Sequence, residues 1–302
     1  MFQYPKNNAV YVKIIKCMII FIIIQMIHIE QVKRKNTVLF VEPRNYSEAF
    51  VVLDNAYDIL QDDWNYVFYC GKSVYNEWKN LMPYYVDLRQ LHCDNFTSDE
   101  YSSFLKEKEL WNSLEGDYVL TIQLDTWLLN NYPYTIDYYI KQDRSYIGGN
   151  MVGTWREFGE LGIESPEIRN FNGGLSLRKR MDMIYIIDYF TSINDEKYKG
   201  LAEDVYFTVG CILLNLKTGN VEETSQFGIH SIYYDKCFGI HNIWVWSIQE
   251  KIKEKYPYLL HINPHVYGST IYNQCKTHMD IVISKRDKPT DTTLYFSQQI
   301  QY

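Results

Sequence analysis

The chain has 302 residues, of which 46% are hydrophobic and 16% aromatic, so it can form the core of one large α/β domain. Its formal net charge is -7 at pH 7, and no lysine- or arginine-rich face stands out after residue 36, which argues against nucleic acid as a partner. None of the six cysteines forms a CxxC pair, which disfavours a structural zinc site. We expect reduced cysteines, with a Cys70–Cys93 bridge as the alternative in a lumenal protein.

The first 36 residues differ in kind from the rest of the chain. An apolar run covers residues 17–29, and basic residues precede and follow it. It is shorter than the roughly 20 residues of a bilayer-spanning helix, unless it extends back to residue 10 and its lysines snorkel. The lack of a small-residue cleavage site disfavours a cleaved signal peptide. We predict an N-terminal hydrophobic helix that is a single-pass signal anchor in a membrane. The alternative is a leader helix docked on the domain or on a membrane surface, in an otherwise cytoplasmic protein.

Strand and helix patterns alternate in the next part of the chain. The β-branched run at residues 37–44, closed by a proline, predicts a first buried strand, and residues 65–71 predict a second. Apolar residues near helical spacing predict helices within residues 47–64 and 98–114. Such alternation is typical of a largely parallel central sheet flanked by helices on both faces. Ligands bind beyond the carboxyl ends of the strands in sheets of this kind.

Composition also sets the expected domain boundaries. No internal linker divides residues 37–265, so we predict one domain there, preceded by the leader at residues 1–36. After Pro264 the sequence becomes polar and has little core-forming content. Residues 266–302 are therefore expected to form a peripheral extension.

The run VLTIQLDTWLL, residues 119–129, places a carboxylate at the end of a predicted central strand. Burying an unpaired carboxylate costs several kcal/mol, so a structural partner or a ligand must neutralise Asp125. One structural alternative is that Asp125 caps a helix near residues 128–132.

Six short motifs follow one another along the chain. They are VEPR (41–44), QLDT (123–126), YIGG (146–149), NGGLSLR (172–178), EDVYF (203–207) and FGIH (238–241). In this order they resemble a glycosyltransferase-like family known mainly as a domain of unknown function and, more broadly, the GT-A type of nucleotide-sugar glycosyltransferases. The resemblance covers roughly residues 37–250 and implies a GT-A-like mixed sheet, a nucleotide-sugar donor, and a hydroxyl acceptor on a glycan, protein or lipid.

The resemblance implies a divalent cation, Mn²⁺ or Mg²⁺, at the donor diphosphate. Asp125 occupies the position of the last acid in the D-x-D motif of GT-A enzymes, and His241 would complete the metal shell. Gln123 replaces the first acid of that motif, so the site has one negative charge fewer and its metal dependence stays open. Gln123 could still hydrogen-bond ribose or a metal-bound water.

Further donor contacts are expected at the ends of other strands. The acid and the arginine after the first strand lie where GT-A folds hold the nucleotide base. A glycine turn would allow close backbone approach to a ligand, or would be only a tight hairpin. An arginine after that turn could reach a phosphate or lie on a solvated face. These candidates are Glu42, Arg44, Asn172, Gly173, Gly174 and Arg178.

The adjacent acids Glu203 and Asp204 stand at a predicted helix start. An inverting transfer needs one carboxylate to take the proton of the acceptor hydroxyl. The resemblance makes Asp204 the base, with Glu203 as the alternative. Both acids could instead complement the helix dipole. The predicted function is therefore an inverting glycosyltransferase, with a catalytically inactive GT-A-like module that binds glycan or nucleotide as the alternative.

Overall fold

The structure is a computed structural model that describes residues 35–151, 156–163 and 170–268. The predicted hydrophobic helix at residues 17–29 and most of the predicted extension lie outside these ranges. Within the described part of the chain, every helix is too short or too polar to cross a bilayer. The domain boundaries drawn from the sequence, at residues 1–36, 37–265 and 266–302, stay predictions.

Six strands form a central sheet in the order β3–β2–β1–β4–β7–β6. The first four are parallel to one another, and β7 runs antiparallel to both of its neighbours. The predicted α/β class with a mixed, largely parallel sheet is confirmed. The strands of the whole structure are β1 Asn36–Glu42, β2 Trp64–Cys70, β3 Val86–Gln90, β4 Tyr118–Ile122, β5 Thr126–Leu128, β6 Tyr146–Met151, β7 Asn170–Lys179, β8 Gly228–Ile229 and β9 Gly239–His241.

Strand β1 shows why the sheet is covered on both faces. Val38 and Phe40 enter one hydrophobic cluster, whereas Leu39 and Val41 enter another. Successive side chains of a strand point to opposite faces, so the unbroken apolar run supplies both layers of the core. The cysteines Cys70, Cys93, Cys211 and Cys237 are free, so a Cys70–Cys93 bridge is absent.

Helices occupy the connections between the strands. The region 98–114, for which the sequence predicts one helix, forms two. The indole N–H of Trp111 donates to the carbonyl of Leu105 at 2.8 Å, which ends the first helix before the second begins. The α-helices are Glu48–Leu60, Tyr75–Trp78, Ser98–Leu105, Lys108–Asn112, Ile136–Lys141, Arg156–Glu160, Arg180–Ile193, Glu196–Lys199, Glu203–Leu213, Val221–Phe227, Trp246–Lys255 and Leu259–Ile262; 3₁₀ turns cover Gln61–Asp63 and Pro264–Tyr267.

A second sheet of three short strands has the order β5–β9–β8. Strand β5 begins four residues after β4 ends and pairs antiparallel with β9, which brings the late part of the chain back to this point. The suggestion that Asp125 caps a helix near residues 128–132 is wrong, because β5 follows it. Asn55 fixes this strand by accepting from the Leu128 N–H at 2.7 Å and donating to the Leu128 carbonyl at 3.1 Å.

Candidate functional site

The site is centred on the turn that joins β4 to β5. The N–H of Gln123 donates to the Thr126 hydroxyl at 3.1 Å, and the N–H of Thr126 donates to the Gln123 carbonyl at 3.0 Å. The Thr126 hydroxyl donates in turn to the carbonyl of Gly174 in β7 at 3.0 Å. Hydrogen bonds on both sides therefore hold Asp125 at the carboxyl end of the central strand.

Asp125 and His241 lie in direct contact. The Nε2 atom of His241 is 3.0 Å from Oδ1 of Asp125 and 3.1 Å from Oε1 of Gln123. The register of β5 and β9 causes this meeting, because it sets Thr126 opposite His241. The N–H of Asn242 also donates to the Asp125 carbonyl at 3.1 Å. The structure thus brings together the two residues for which the sequence predicts a shared metal site.

The two side chains differ in exposure and charge. His241 is almost fully buried, with 5% of its side chain exposed, whereas 25% of the Asp125 side chain is exposed. Burial alone would raise the pKa of Asp125, but the attraction and hydrogen bond of His241 bring that pKa below its ordinary value. Asp125 therefore carries a negative charge at neutral pH.

A second histidine, His230, stacks on His241, with ring centroids 5.8 Å apart and an interplanar angle of 19°. Burial, followed by the neighbouring His241, lowers the pKa of His230 to about 3, so its imidazole is neutral. His230 is not among the candidate residues predicted from the sequence, although a repeated motif points to it. The sequence FGIH occurs at residues 227–230 and again at 238–241, and strands β8 and β9 pair so that the two copies align.

The donor atoms at this centre can be compared with the needs of a divalent cation. Asp125 offers a carboxylate, Gln123 an amide oxygen and His241 an imidazole, which are ligand types that Mn²⁺ accepts. His241 Nδ1 is buried and has no hydrogen-bond partner, so the ring has only its Nε2 side engaged. Among the described residues, however, no three His, Cys, Asp or Glu side chains converge as a metal-binding group. A cation here would find two strong ligands and one neutral oxygen, and a bound diphosphate would have to complete its shell.

The segment Asn172–Gly174 packs tightly behind this centre. These residues lie within strand β7, so the predicted turn before a strand is wrong. A Cβ atom on Gly174 would collide with His241 and Gln123, and one on Gly173 would lie 2.5 Å from Oε2 of Glu203. Glycine is needed at both positions because the His241 and Gln123 side chains lie against Gly174 and the Glu203 side chain lies against Gly173. The Asn172 side chain accepts from the Gly174 N–H at 2.8 Å and fixes this backbone.

Arg178 is completely buried and forms an ion pair with Glu203. Its NH2 group also donates to the carbonyl of Gly173 at 3.1 Å, and its guanidinium lies 4.7 Å from the ring centre of Tyr146 and 5.3 Å from that of Phe207. A phosphate, the ligand that the sequence suggests for Arg178, would reach this group only if the ion pair opened.

The neighbouring acids of the Glu203–Leu213 helix have separate environments. Glu203 turns to Arg178, whereas Asp204 stays partly exposed and accepts from the N–H of Val205 at 2.8 Å. Burial, and next the charge of Glu203, raise the pKa of Asp204 to about 7. Asp204 is thus a carboxylate able to take up a proton near neutral pH.

Glu42 and Arg44 follow β1, next to the centre, because β1 and β4 are neighbouring parallel strands. Glu42 is buried, and Arg44 donates to it through two hydrogen bonds of 2.7 Å. The hydrogen bond to Glu42 is the main cause of a raised pKa of Arg44, and the charge of Asp125 adds to it. Half of the Arg44 side chain is exposed. Arg44 therefore presents a positive charge to solvent on the same edge of the sheet as Asp125.

The model of a family described as "Protein of unknown function (DUF5672)" matches residues 86–241, which is more than half of the chain. The protein belongs to this DUF5672 family. The match includes every candidate residue from Gln123 to His241 and leaves out Glu42 and Arg44. No curated protein matches the chain.

Three solved structures match the chain at low similarity. The bifunctional IspDF from Campylobacter jejuni is 9% identical with a TM-score of 0.36, and the match covers 61% of this chain and 48% of that one. S. aureus TarS 1-349 is 13% identical with a TM-score of 0.39, and the shares are 78% and 66%. The mannosyltransferase PcManGT from Pyrobaculum calidifontis, in complex with GDP-Man and Mn²⁺, is 10% identical with a TM-score of 0.40, and the shares are 89% and 81%. The DUF5672 chain thus spans about half the length of IspDF and about two thirds of TarS.

Proposed function

We propose that this DUF5672 protein is an inverting glycosyltransferase with a GT-A-like fold, which moves a sugar from a nucleotide-sugar donor to a hydroxyl acceptor. The observation that carries the proposal is a pair of carboxyl groups, Asp125 and Asp204, whose pKa values are shifted in opposite directions and whose neighbours His241 and Glu203 pack against adjacent glycines of β7. Asp125 has a lowered pKa and contacts His241, which lies against Gly174. Asp204 has a pKa of about 7 and directly follows Glu203, which lies against Gly173. Two carboxyl groups whose environments separate their pKa values are the usual basis for different roles in one reaction.

The donor side of the proposal rests on Asp125, His241 and Gln123. Asp125 and His241 would hold a divalent cation, which when bound supplies charge neutralisation for the departing nucleoside diphosphate. Gln123 is fixed by its amide N–H, which donates to the Tyr101 hydroxyl at 2.9 Å, so its oxygen points to the His241 side. Arg44 would add a positive charge beside the nucleotide.

The acceptor side rests on Asp204. In the transfer, the acceptor oxygen bonds to the anomeric carbon while the bond from that carbon to the diphosphate breaks, and Asp204 takes the hydroxyl proton. A base with a pKa close to the working pH is best suited to this step. Glu203 is a positioning residue in this scheme, because its carboxylate is already engaged by Arg178. Asn172, Gly173 and Gly174 would set the spacing between the two sides.

The second candidate function is a module that binds a nucleotide sugar or glycan without turnover. Gln123 favours it, because an amide in place of the first acid leaves Asp125 as the only carboxylate in the β4–β5 turn. The transferase and a nucleotide-sugar-binding module both predict donor binding and differ in whether nucleotide is released, whereas a glycan-binding module predicts no donor binding.

The test combines binding and turnover. We expect the melting temperature of the protein to rise with one of the UDP-, GDP- or CMP-sugars, and the rise to depend on Mn²⁺, because a ligand of the native state stabilises it. Release of the nucleotide with an acceptor mixture selects the enzyme. A donor-specific shift without release under any condition selects a nucleotide-sugar-binding module. No shift with any donor contradicts the transferase and leaves only a module that binds glycan.

A further inference from the structure

Trp244 is an exposed aromatic residue at the border of the site. Of its surface, 60% is exposed, although tryptophan is mostly buried in folded proteins. Among the described residues its one aromatic-ring contact is with His230, at 6.3 Å between ring centres and an angle of 67°. His230 stacks in turn on His241, which contacts Asp125. An unbroken series of ring contacts therefore joins Trp244 to the proposed reaction centre.

The backbone that carries Trp244 is firmly held. Ile243 is completely buried; its N–H donates to the Val266 carbonyl at 2.7 Å, and its carbonyl accepts from the Gln249 side chain at 2.7 Å. Asn242 has a φ of 41°, a left-handed conformation that asparagine tolerates better than most residues, and turns the chain directly after His241. The exposure of Trp244 is thus built into an anchored turn and does not reflect a loose loop.

The surroundings of Trp244 favour one class of ligand. A flat indole offers an apolar face, and two neighbours of Trp244 are polar: His230, which contacts the ring, and Asn242, two residues earlier in the chain. A pyranose ring has the matching character, with an apolar C–H face and hydroxyl groups around its edge. A protein or lipid partner would instead need a contiguous apolar patch of several hundred Å². The next exposed indole, Trp246, has the Lys253 ammonium 4.9 Å from its ring centre, so a cation already lies over one of its faces.

We propose that Trp244 is the stacking platform for the acceptor and that the acceptor is a saccharide. The inference rests on the proposed function and narrows its acceptor from glycan, protein or lipid to a sugar ring. Stacking on Trp244 would orient one sugar hydroxyl towards His241 of β9 and the side chains that pack against β7. An aromatic platform tolerates several sugars. Trp244 would therefore supply affinity for a sugar ring, and the neighbouring polar groups would select which sugar binds.

The experiment uses the full-length protein on a printed array of oligosaccharides that covers hexoses, N-acetylhexosamines, deoxyhexoses, pentoses and uronic acids. We expect binding, and we expect Trp244→Ala to weaken it roughly ten-fold or more while Trp244→Phe keeps part of it. Trp246→Ala is the matched control, since Trp246 is 69% exposed and lies two residues away. The melting-temperature shift with nucleotide sugars should be the same in all of these variants.

Several outcomes overturn the inference. One is wild-type array binding by Trp244→Ala, and another is an equal loss in Trp246→Ala. Loss of the nucleotide-sugar shift in Trp244→Ala assigns the platform to the donor sugar. An array without signal, from a protein that nucleotide sugars do stabilise, excludes a saccharide acceptor and leaves the proposed function intact. Array binding that depends on Trp244 in a protein without any donor shift supports the platform and contradicts the transferase.

Discussion

At the residue scale, the neighbours Glu203 and Asp204 show how environment separates two similar side chains. Consecutive residues at the start of a helix diverge, so one carboxylate reaches the buried Arg178 and the other stays near solvent. The buried charge of Glu203 contributes to the raised pKa of Asp204. Two ionised and solvated carboxylates would complement the helix dipole equally well. The helix dipole alone therefore does not explain why one acid is buried in an ion pair and the other has a raised pKa.

Asp204→Asn should lower turnover by roughly 10²–10⁴-fold and leave donor affinity unchanged, because a base acts on the acceptor. It should also stabilise the protein at about pH 8. The folded-state pKa of Asp204, about 7, exceeds the ordinary 3.8, so ionisation disfavours the folded state as pH rises through 7. Removing that charge should raise stability by roughly 1 kcal/mol or more at about pH 8, and by much less at about pH 4.

The matched control for this experiment is Asp137→Asn. Asp137 is exposed and, like Asp204, is the second residue of a helix, Ile136–Lys141. It should show neither the loss of turnover nor the pH-dependent gain in melting temperature. A well-folded Asp204→Asn protein with wild-type turnover would remove Asp204 from the mechanism.

Asp125 and His241 give a second prediction at this scale. Asp125→Asn and His241→Ala should each weaken donor binding and reduce its response to Mn²⁺, because the two side chains are 3.0 Å apart and would hold one ion. Residues that share one ligand are not additive, so the double variant should lose less than the sum of the single losses. Isothermal titration with and without a chelator measures this. Fully additive losses, or wild-type binding that ignores chelation, count against a shared cation.

At the scale of elements, the Arg178–Glu203 ion pair joins β7 to the Glu203–Leu213 helix. Glu203→Gln would leave the guanidinium of Arg178 charged and buried, so we expect a loss of about 3–5 kcal/mol of stability. Replacing both partners, in Arg178→Met with Glu203→Leu, should recover most of it, because an apolar pair needs no charge compensation. Chemical denaturation of the wild-type protein and both variants gives the free energies of unfolding.

The control is Asp188→Asn, which breaks the exposed pair of Lys108 and Asp188, with side chains 40% and 50% exposed. Such pairs contribute at most about 1 kcal/mol. If Glu203→Gln and Asp188→Asn cost the same, Glu203 has no positioning role. If Glu203→Gln keeps its stability but loses turnover, Glu203 is itself the base.

The same elements show which parts of the fold the sequence predicts. Strands β1 and β4 are long, continuous apolar runs, and their buried positions follow from that pattern. Strands β5, β8 and β9 have two or three residues each, which is too short for periodicity, and their pairing is fixed by distant contacts. The burial of Arg178 was missed because arginine is rarely buried without a partner, and the sequence does not show that Glu203 lies opposite.

The candidate site was predictable to a different degree. The contact between Asp125 and His241 follows from the family resemblance, since no spacing rule joins residues so far apart in the chain. Gly174 was interpreted as part of a turn because glycine is common in turns, but its role is to let His241 and Gln123 approach the backbone of β7. The local sequence indicates which backbone conformations a glycine favours. The approach of His241 and Gln123 to Gly174 depends instead on the tertiary fold.

At the scale of the whole molecule, the site lies where the chain passes from one sheet to the other. Strand β4 ends the parallel part of the central sheet, and β5 begins the small sheet four residues after β4 ends. Gln123 and Asp125 belong to this passage, and β9 returns His241 to it. The carboxyl edge of a parallel sheet leaves polar groups exposed for a ligand, and the small sheet supplies the residues that close one side of it.

The last prediction concerns the proposed membrane anchor and the start of the folded domain. The amide oxygen of Asn36 accepts from the N–H groups of Asp117 and Tyr118, at 3.1 and 3.0 Å, and so ties the start of β1 to the start of β4. A chain without residues 1–34 keeps Asn36 and should be soluble, monodisperse and cooperatively folded, whereas the full-length protein should sediment with membranes. A chain without residues 1–37 loses these bonds and the bond from the Thr37 hydroxyl to the Glu115 carbonyl. It should melt at a lower temperature because the backbone groups at residues 115, 117 and 118 lose their partners. Fractionation and thermal melting of the three proteins test both points. The anchor hypothesis fails if the chain without residues 1–34 aggregates while the full-length protein is soluble without detergent. That outcome would show that the leader belongs to the core.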